Sequence, residues 1–297
     1  MRVAISGSTG LIGSALRARL GASGHDVVPI VRRDPHPGEI GWDPKAGRLD
    51  AAQLGGVDAI VNLAGAGIGD HRWTDEYKRE ILQSRTRATN LLSEAIAARD
   101  DTPRVLLSGS AIGGYGDRGD EELSEASSTG EGYLPDVVRA WEASTAAAEA
   151  AGARVVHLRT GIVLSKDGGA LAKLLPLFKF GLGGRFGAGR QWMSWISLDD
   201  EVSAIVHLLD SELRGPVNLT APVPVRNAEL ARTLGDVLRR PSFLPVPSFG
   251  PKLLLGSELA DSLLFQSQRI TTSALTGDDF TFAHPELEGA LRAELGR

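Results

Sequence analysis

The first 33 residues, MRVAISGSTGLIGSALRARLGASGHDVVPIVRR, leave little choice of fold. Val3, Ala4 and Ile5 are a short apolar run of the kind that a strand buried on both faces needs. A glycine turn, Gly7 to Gly13, follows at once, and Ile12, Ala15, Leu16 and Leu20 then recur at helical spacing. Gly24 and His25 end that helix, and residues 27–31 read as a second strand. In such a strand–turn–helix–strand unit one glycine permits the tight turn and another lets a pyrophosphate approach the backbone. Gly13 allows close packing of helix on strand, and the helix N-terminus offers free N–H groups to phosphates. Gly7, Gly10 and Gly13 are spaced G-x-x-G-x-x-G rather than G-x-G-x-x-G. The flanking strand and helix supply the context that a dinucleotide-binding turn requires.

The end of the second strand selects between dinucleotides. An acidic residue there would hold a ribose 2′-OH, whereas a 2′-phosphate calls for arginine. The chain has Val31-Arg32-Arg33 before it reaches Asp34. Two guanidiniums suit a phosphate through paired, charge-assisted hydrogen bonds, so NADP(H) is expected over NAD(H).

Composition narrows the rest. The 297 residues are 42% hydrophobic and 23% charged, which is ample for a large α/β core. A net charge of −5 gives no electrostatic grip on nucleic acid or anionic membrane. Without cysteine there are no disulfides, thiolate metal sites or cysteine nucleophiles, and six scattered histidines form no ligand pair. No apolar run approaches spanning length, and the chain enters a strand without a leader, so a cytoplasmic protein is expected.

Along the chain, residues 34–56 are rich in Pro and Gly, with a short strand expected at 39–42. Residues 58–63 form the next buried strand, ending in Ala64-Gly65-Ala66-Gly67, small residues that leave room for a ligand. The spacing of Tyr77, Ile81, Ala88, Leu92, Ala95 and Ile96 predicts a helix over 74–98. Arg85 lies on its inward stripe, where it needs either a carboxylate partner or a place beside the ligand loop. A strand at 104–109 runs into Ser110, well placed at a central strand end to meet a substrate. A helix over 134–151 and a strand over 154–160 follow. The alternation predicts a doubly wound, parallel, Rossmann-like sheet. Residues 1–220 would form the dinucleotide domain, with a substrate-side loop at 166–196, and 221–297 a small, mainly helical part capping the cleft. In that loop Arg185, Arg190, Gln191, Trp192 and Trp195 are expected near the mouth, or else the two tryptophans pack beneath it. Ser197-Leu198-Asp199-Asp200 reads as a capping box opening a helix to 209. Residues 215–220 should be the last sheet strand, 226–240 a helix and 241–251 an extended segment. Helical tail segments are expected at 268–275 and 285–295.

The opening glycine turn, the NLAG strand end, SGSAIGGYG and RTGIVLSKDGGAL together resemble an extended, atypical short-chain dehydrogenase/reductase. More narrowly, GLGGRFGAGRQWMSWISLDD with WDP, HRW, SRT and WEA is similar to the nucleotide-sugar-epimerase-like family with a small C-terminal domain. The resemblance implies that Thr9, Gly10, Leu11 and Ile12 cradle the pyrophosphate and that Val31 and Arg32 meet the adenosine ribose. It further implies that Leu63 and Ala64 line the cofactor cleft, that Glu80 and Arg85 support it from the long helix, and that Val163 lies beside the nicotinamide. The superfamily uses Ser, Tyr and a Lys four residues after the Tyr; Lys lowers the Tyr pKa and Ser positions the substrate oxygen. Ser110 fills the Ser position, with Ser108 as alternative, and Tyr133 is the Tyr candidate, with Tyr115 competing. Four residues after Tyr133 stands Val137, which carries no charge, a departure shared with the narrower family. The implied function is an NADP(H)-binding epimerase-like oxidoreductase acting on a small carbonyl or hydroxyl compound, nucleotide-linked ones included. The alternative is a non-catalytic NADP(H)-binding regulatory or sensor protein.

Overall fold

One parallel sheet carries the cleft. The computed structural model describes residues 1–99 and 103–297. The chain opens with β1 (Arg2–Ser6), α1 (Leu11–Ala22), β2 (Asp26–Val31), β3 (Ile40–Asp43) and the short β4 (Arg48–Leu49). It continues through β5 (Ala59–Asn62), α2 (Asp75–Ala97), β6 (Val105–Ala111) and β7 (Glu122–Leu123). Next come α3 (Tyr133–Ala143), α4 (Ala146–Ala150), β8 (Arg154–Thr160), β9 (Ile162–Leu164) and α5 (Gly169–Lys179). Strands β10 (Trp192–Met193) and β11 (Trp195–Ser197) lead into α6 (Leu198–Asp210) and β12 (Gly215–Leu219). The tail adds β13 (Val225–Arg226), α7 (Asn227–Leu238), α8 (Phe249–Leu255), α9 (Ser257–Ala260), β14 (Arg269–Ile270), α10 (Ser273–Gly277) and α11 (Leu287–Leu295).

The main sheet has the order β12-β8-β6-β5-β1-β2-β3-β4, and every pairing is parallel except β3 with β4. The apolar runs explain why it is covered twice. Val3, Ile5, Ala59, Val61, Val105, Leu107, Val156 and Leu158 face α1 and α6. The residues between them, Ala4, Ile60, Leu106 and Val155, face α2 and α4. Each aliphatic side chain removed from water this way contributes about 1.5–3 kcal/mol. The order reverses between β1 and β5, so the loops after them part and leave a crevice at the strands' carboxyl ends.

Local chemistry sets the element ends. Thr74 caps α2 by accepting from the Tyr77 amide at 3.1 Å, and Asp75 and Glu76 favour the positive helix end. Ser197 caps α6 in the same way, through the Asp200 amide. The helix expected over 134–151 is interrupted. The Ser144 and Thr145 hydroxyls donate to the Ala140 and Glu142 carbonyls, and the chain breaks into α3 and α4 there.

The tail departs from its predicted form in two places. Residues 269–270 are a strand, paired in parallel with β7, so the 268–275 segment is helical only from Ser273. The 241–251 segment is not extended throughout, because α8 starts at Phe249; Pro251 is tolerated in a first turn, where its missing N–H has no intrahelical acceptor. β10 pairs with β13, and Leu171, Leu175, Phe178 and Met193 share one core with Leu230, Leu234, Leu287 and Leu291. Trp195, expected near the cleft mouth or packed beneath the loop, is fully buried in that core, its indole donating to the Val223 carbonyl. Among the described residues no helix is long and apolar enough to cross a membrane.

Candidate functional site

The cleft lies along the carboxyl ends of β5, β1, β6 and β8, with a volume of about 460 Å³. Its floor is the glycine turn. Gly7 has φ +67°, and a Cβ there would lie 2.6 Å from the Leu63 carbonyl oxygen, so only glycine lets the two loops meet. A Cβ on Gly13 would collide with the Gly7 backbone, which is why α1 can begin directly against the turn. Gly10 precedes α1 without a side-chain cap, leaving the first helical amides open to the cleft, where Leu11 and Ile12 also lie. The turn is thus a cradle that any side chain would fill, and it fits the diphosphate of a dinucleotide.

Arg32 and Arg33 follow the end of β2 but are used differently. Arg33 makes a two-pronged pair with Glu39 at 2.7 and 2.6 Å. Its hydrogen bonds, with the His36 amide, pull the Glu39 carboxyl down to about 2. Arg32 is exposed and has no hydrogen-bond or ion-pair partner among the described residues.

Leu63 and Val163 line the cleft, Val163 from β9, whose partner β11 holds it in place. Ala64 and Gly65 continue from Leu63; a Cβ on Gly65 would sit 3.2–3.4 Å from the Arg85 side chain. Arg85 faces the cleft with no carboxylate partner among the described residues. Its Nη1 donates to the Ile81 carbonyl at 3.0 Å, its guanidinium lies 5.0 Å from the Trp141 ring, and burial lowers its pKa. A half-buried cation without a counter-charge among the described residues favours an anion from outside the chain. Glu80 is turned elsewhere, to Lys45 at 3.4 Å, and does not line the cleft.

The catalytic candidates separate cleanly. Ser110 lines the cleft, whereas Ser108 is fully buried beneath it. Tyr133 does not join Ser110: its hydroxyl donates to the Lys78 carbonyl at 2.7 Å and its ring stacks edge-on with Trp73. Burial pushes its phenol up to about 12 even though Arg85 opposes the shift. Lys78 sits over the Tyr133 ring, but its ammonium is paired with Glu258 at 2.6 Å. Tyr115 is 1% exposed, and its hydroxyl donates to Asn218 at 2.7 Å. Neither tyrosine has a free proton aimed at the cleft.

What stands behind Ser110 is a buried polar chain that sequence reasoning missed. The Ser110 hydroxyl donates to Glu142 Oε1 at 2.7 Å. Arg159 Nε and Nη2 grip both Glu142 oxygens at 2.8 Å, and its Nη1 donates to the Tyr115 hydroxyl at 2.9 Å. Burial raises the Glu142 pKa, but the Arg159 and Ser110 hydrogen bonds outweigh it and leave a carboxylate. The signal was in the alternation of Arg154–Thr160: Val155, His157 and Arg159 share one face, and two polar residues on a buried face require partners. On the neighbouring strand, Gly109 is what admits Trp141, since a Cβ would lie 2.8 Å from the indole.

At the mouth, Trp192 lines the cleft with Arg226 at 4.0 Å and Arg269 at 5.1 Å from its ring, while its indole donates to Asp120. Gln191 donates to the Leu264 carbonyl, and Arg185 and Arg190 make no side-chain ion pair among the described residues. Asp200, fully buried, accepts from its own cap Ser197 and from the Ala283 and His284 amides. It ties the tail to α6, a structural role. Below the cleft, Glu201 is fully buried, accepts from Thr160 at 2.8 Å, and leaves Oε2 unpaired. Among the described residues no cluster of His, Asp or Glu could hold a metal.

Sheet, switch point and glycine cradle together define a Rossmann-like α/β protein of the short-chain dehydrogenase/reductase type, with a helical C-terminal part. Residues 3–219 match the NAD dependent epimerase/dehydratase family, and the chain belongs to it. Residues 246–294 match a domain of unknown function, DUF1731. The epimerase family protein Mb2239 of Mycobacterium bovis is 45% identical over 291 residues, covering 97% of this chain and 96% of its own. The crystal structure of human epimerase family protein SDR39U1 with NADPH is similar, with a TM-score of 0.91 and 33% identity. That match covers 100% of this chain and 99% of the human one. A nucleoside-diphosphate sugar epimerase from Corynebacterium glutamicum superposes with a TM-score of 0.82 at 38% identity, over 100% of this chain and 58% of that one.

Proposed function

We propose that the protein is an NADP(H)-dependent, epimerase-like oxidoreductase of the atypical short-chain type. Its substrate is a small carbonyl or hydroxyl compound, nucleotide-linked ones included. The observation that carries the reading is the glycine cradle beside an unpartnered Arg32, one built for a diphosphate and the other free for a further phosphate. The NADPH held by the human relative supports the same choice. In this reading Gly7, Gly10, Gly13 and the amides from Thr9 to Ile12 hold the diphosphate. Val31 and Arg32 meet the adenosine ribose and its phosphate, with Arg33 one ion pair removed. Leu63, Ala64, Gly65 and Val163 wall the cofactor, and Arg85 supplies a half-buried positive charge. Glu80 pairs with Lys45 outside the cleft lining.

Bound nicotinamide would supply or accept the hydride, and the proton that leaves or joins the substrate oxygen would pass through the Ser110 hydroxyl, which is hydrogen-bonded to the Glu142 carboxylate. The chain's part is to hold the substrate oxygen at Ser110, to keep water out with Trp192, Leu263 and Met193, and to fix Ser110 through Glu142 and Arg159. Tyr133 takes no part in proton transfer. The same reading places the protein in the cytoplasm with small-molecule partners, neither nucleic acid nor membrane.

Titrating the purified protein with NADPH and NADH tests the reading. Tighter binding of NADPH is expected, and no affinity for either refutes it. The tyrosine positions favour a second reading, a sensor that binds NADP(H) without turnover. Product analysis across a panel of sugar nucleotides and small ketones separates the two, because an epimerase returns its hydride and leaves absorbance unchanged.

A further inference from the structure

The proton on Ser110 is fixed by a chain of hydrogen bonds that begins far from the cleft. Asn218 Nδ2 donates to the Thr271 carbonyl at 2.9 Å, which sets the amide so that Oδ1 faces Tyr115. Arg159 can only donate, so the Tyr115 oxygen accepts from Nη1 and its hydrogen goes to Asn218 at 2.7 Å. The other two Arg159 donors occupy both Glu142 oxygens at 2.8 Å, which keeps that carboxyl ionised. An ionised carboxylate only accepts, so the hydrogen between Ser110 and Glu142, 2.7 Å apart, belongs to the serine. The Arg159–Glu142 pair leaves the Ser110 hydrogen a single choice, and Tyr115 and Asn218 hold Arg159 in place behind it.

We infer that Ser110 Oγ, its hydrogen committed to Glu142, presents only lone pairs to the cleft, so this site selects a ligand hydroxyl over a carbonyl. This reverses the role expected of a serine that donates to a substrate ketone. A ligand hydroxyl has a hydrogen to give the Ser110 oxygen, whereas a carbonyl would meet it lone pair against lone pair. The alcohol is therefore the form that this cleft binds in preference, and the ketone is the form that it releases. The inference rests on the cleft being the substrate site, as proposed above, and not on which dinucleotide fills it.

Neutron diffraction from crystals of the whole chain grown in deuterium oxide, with and without NADP⁺, reads the proton directly. A deuteron on the Ser110–Glu142 axis is expected; one on Ser110 pointing into the cleft overturns the inference. Cyclohexanol and cyclohexanone serve as matched probes of the protein with and without NADP⁺. The alcohol should bind with its oxygen on Ser110, roughly three- to tenfold more tightly than the ketone, the range of one net hydrogen bond. Ser110→Ala should abolish that preference. Equal affinities, no alcohol in the cleft, or a preference that survives Ser110→Ala overturn the inference. The NADP⁺ affinity measured in the same samples keeps the two readings apart. Its absence with the alcohol preference intact sinks the cofactor assignment alone, and its presence with the preference reversed sinks the Ser110 assignment alone.

Discussion

Glu201 should make this protein less stable as pH rises through neutrality. The carboxyl is wholly enclosed beneath β8, accepts one hydrogen bond from Thr160, and has no cation partner among the described residues. Burial pushes its pKa up from 4.5 to about 8, with Thr160 opposing. The folded state therefore keeps this proton where the unfolded chain has lost it. The contribution is fully present below pH 4.5 and is lost as pH rises through about 8. Each pH unit in that window costs roughly 1 kcal/mol, so at pH 7 the enclosed acid costs up to about 3 kcal/mol relative to acid conditions. Glu201→Gln keeps the shape and the acceptor for Thr160 but cannot ionise. Urea unfolding of both proteins, followed by tryptophan fluorescence at pH 5 and pH 8, isolates this group because all other titrations are shared. The variant should gain roughly 3–4 kcal/mol on wild type between those two pH values. Parallel stability profiles for the two proteins would refute the reasoning.

Four further outcomes rest on particular contacts. Arg32→Ala should weaken NADPH binding roughly ten- to a hundredfold, the size of a charge-assisted phosphate contact, and leave NADH binding nearly unchanged by calorimetry. Arg33→Ala, whose fork is already on Glu39, should discriminate far less between the two dinucleotides. Tyr133→Phe should cost about 1 kcal/mol of stability, from the lost hydrogen bond to Lys78, with NADPH affinity within twofold of wild type. Glu142→Ala strands the Arg159 cation in the interior and should destabilise by about 3–5 kcal/mol. A small effect in thermal unfolding would mean that the ion pair is not what holds β8 to α3.

How much of this was legible beforehand depended on periodicity. The strands that build the sheet are covered on both faces, so their apolar runs announce themselves, and the glycine turn is a local motif that needs no distant partner. Arg85 could be placed on an inward face, but the absence of its carboxylate could not, because a missing partner is a property of the whole fold. The Ser110–Glu142–Arg159 chain joins residues 17 to 32 positions apart, and nothing local marks Glu142 within WEA as buried. The α3–α4 break turns on two hydroxyls competing for backbone carbonyls, and helical periodicity runs straight through them. Residues 269–270 make a strand because β7 offers an edge, information that lies some 150 residues away.

The cleft draws its walls from Gly7 at one end of the chain to Gln268 near the other. During synthesis, the glycine turn can therefore form early, while the pocket closes only once residue 268 has emerged. A dinucleotide can reward folding only late, so the sheet has to stand on its own apolar faces until then. The double covering of β1, β5, β6 and β8 is what lets a newborn chain wait for its ligand.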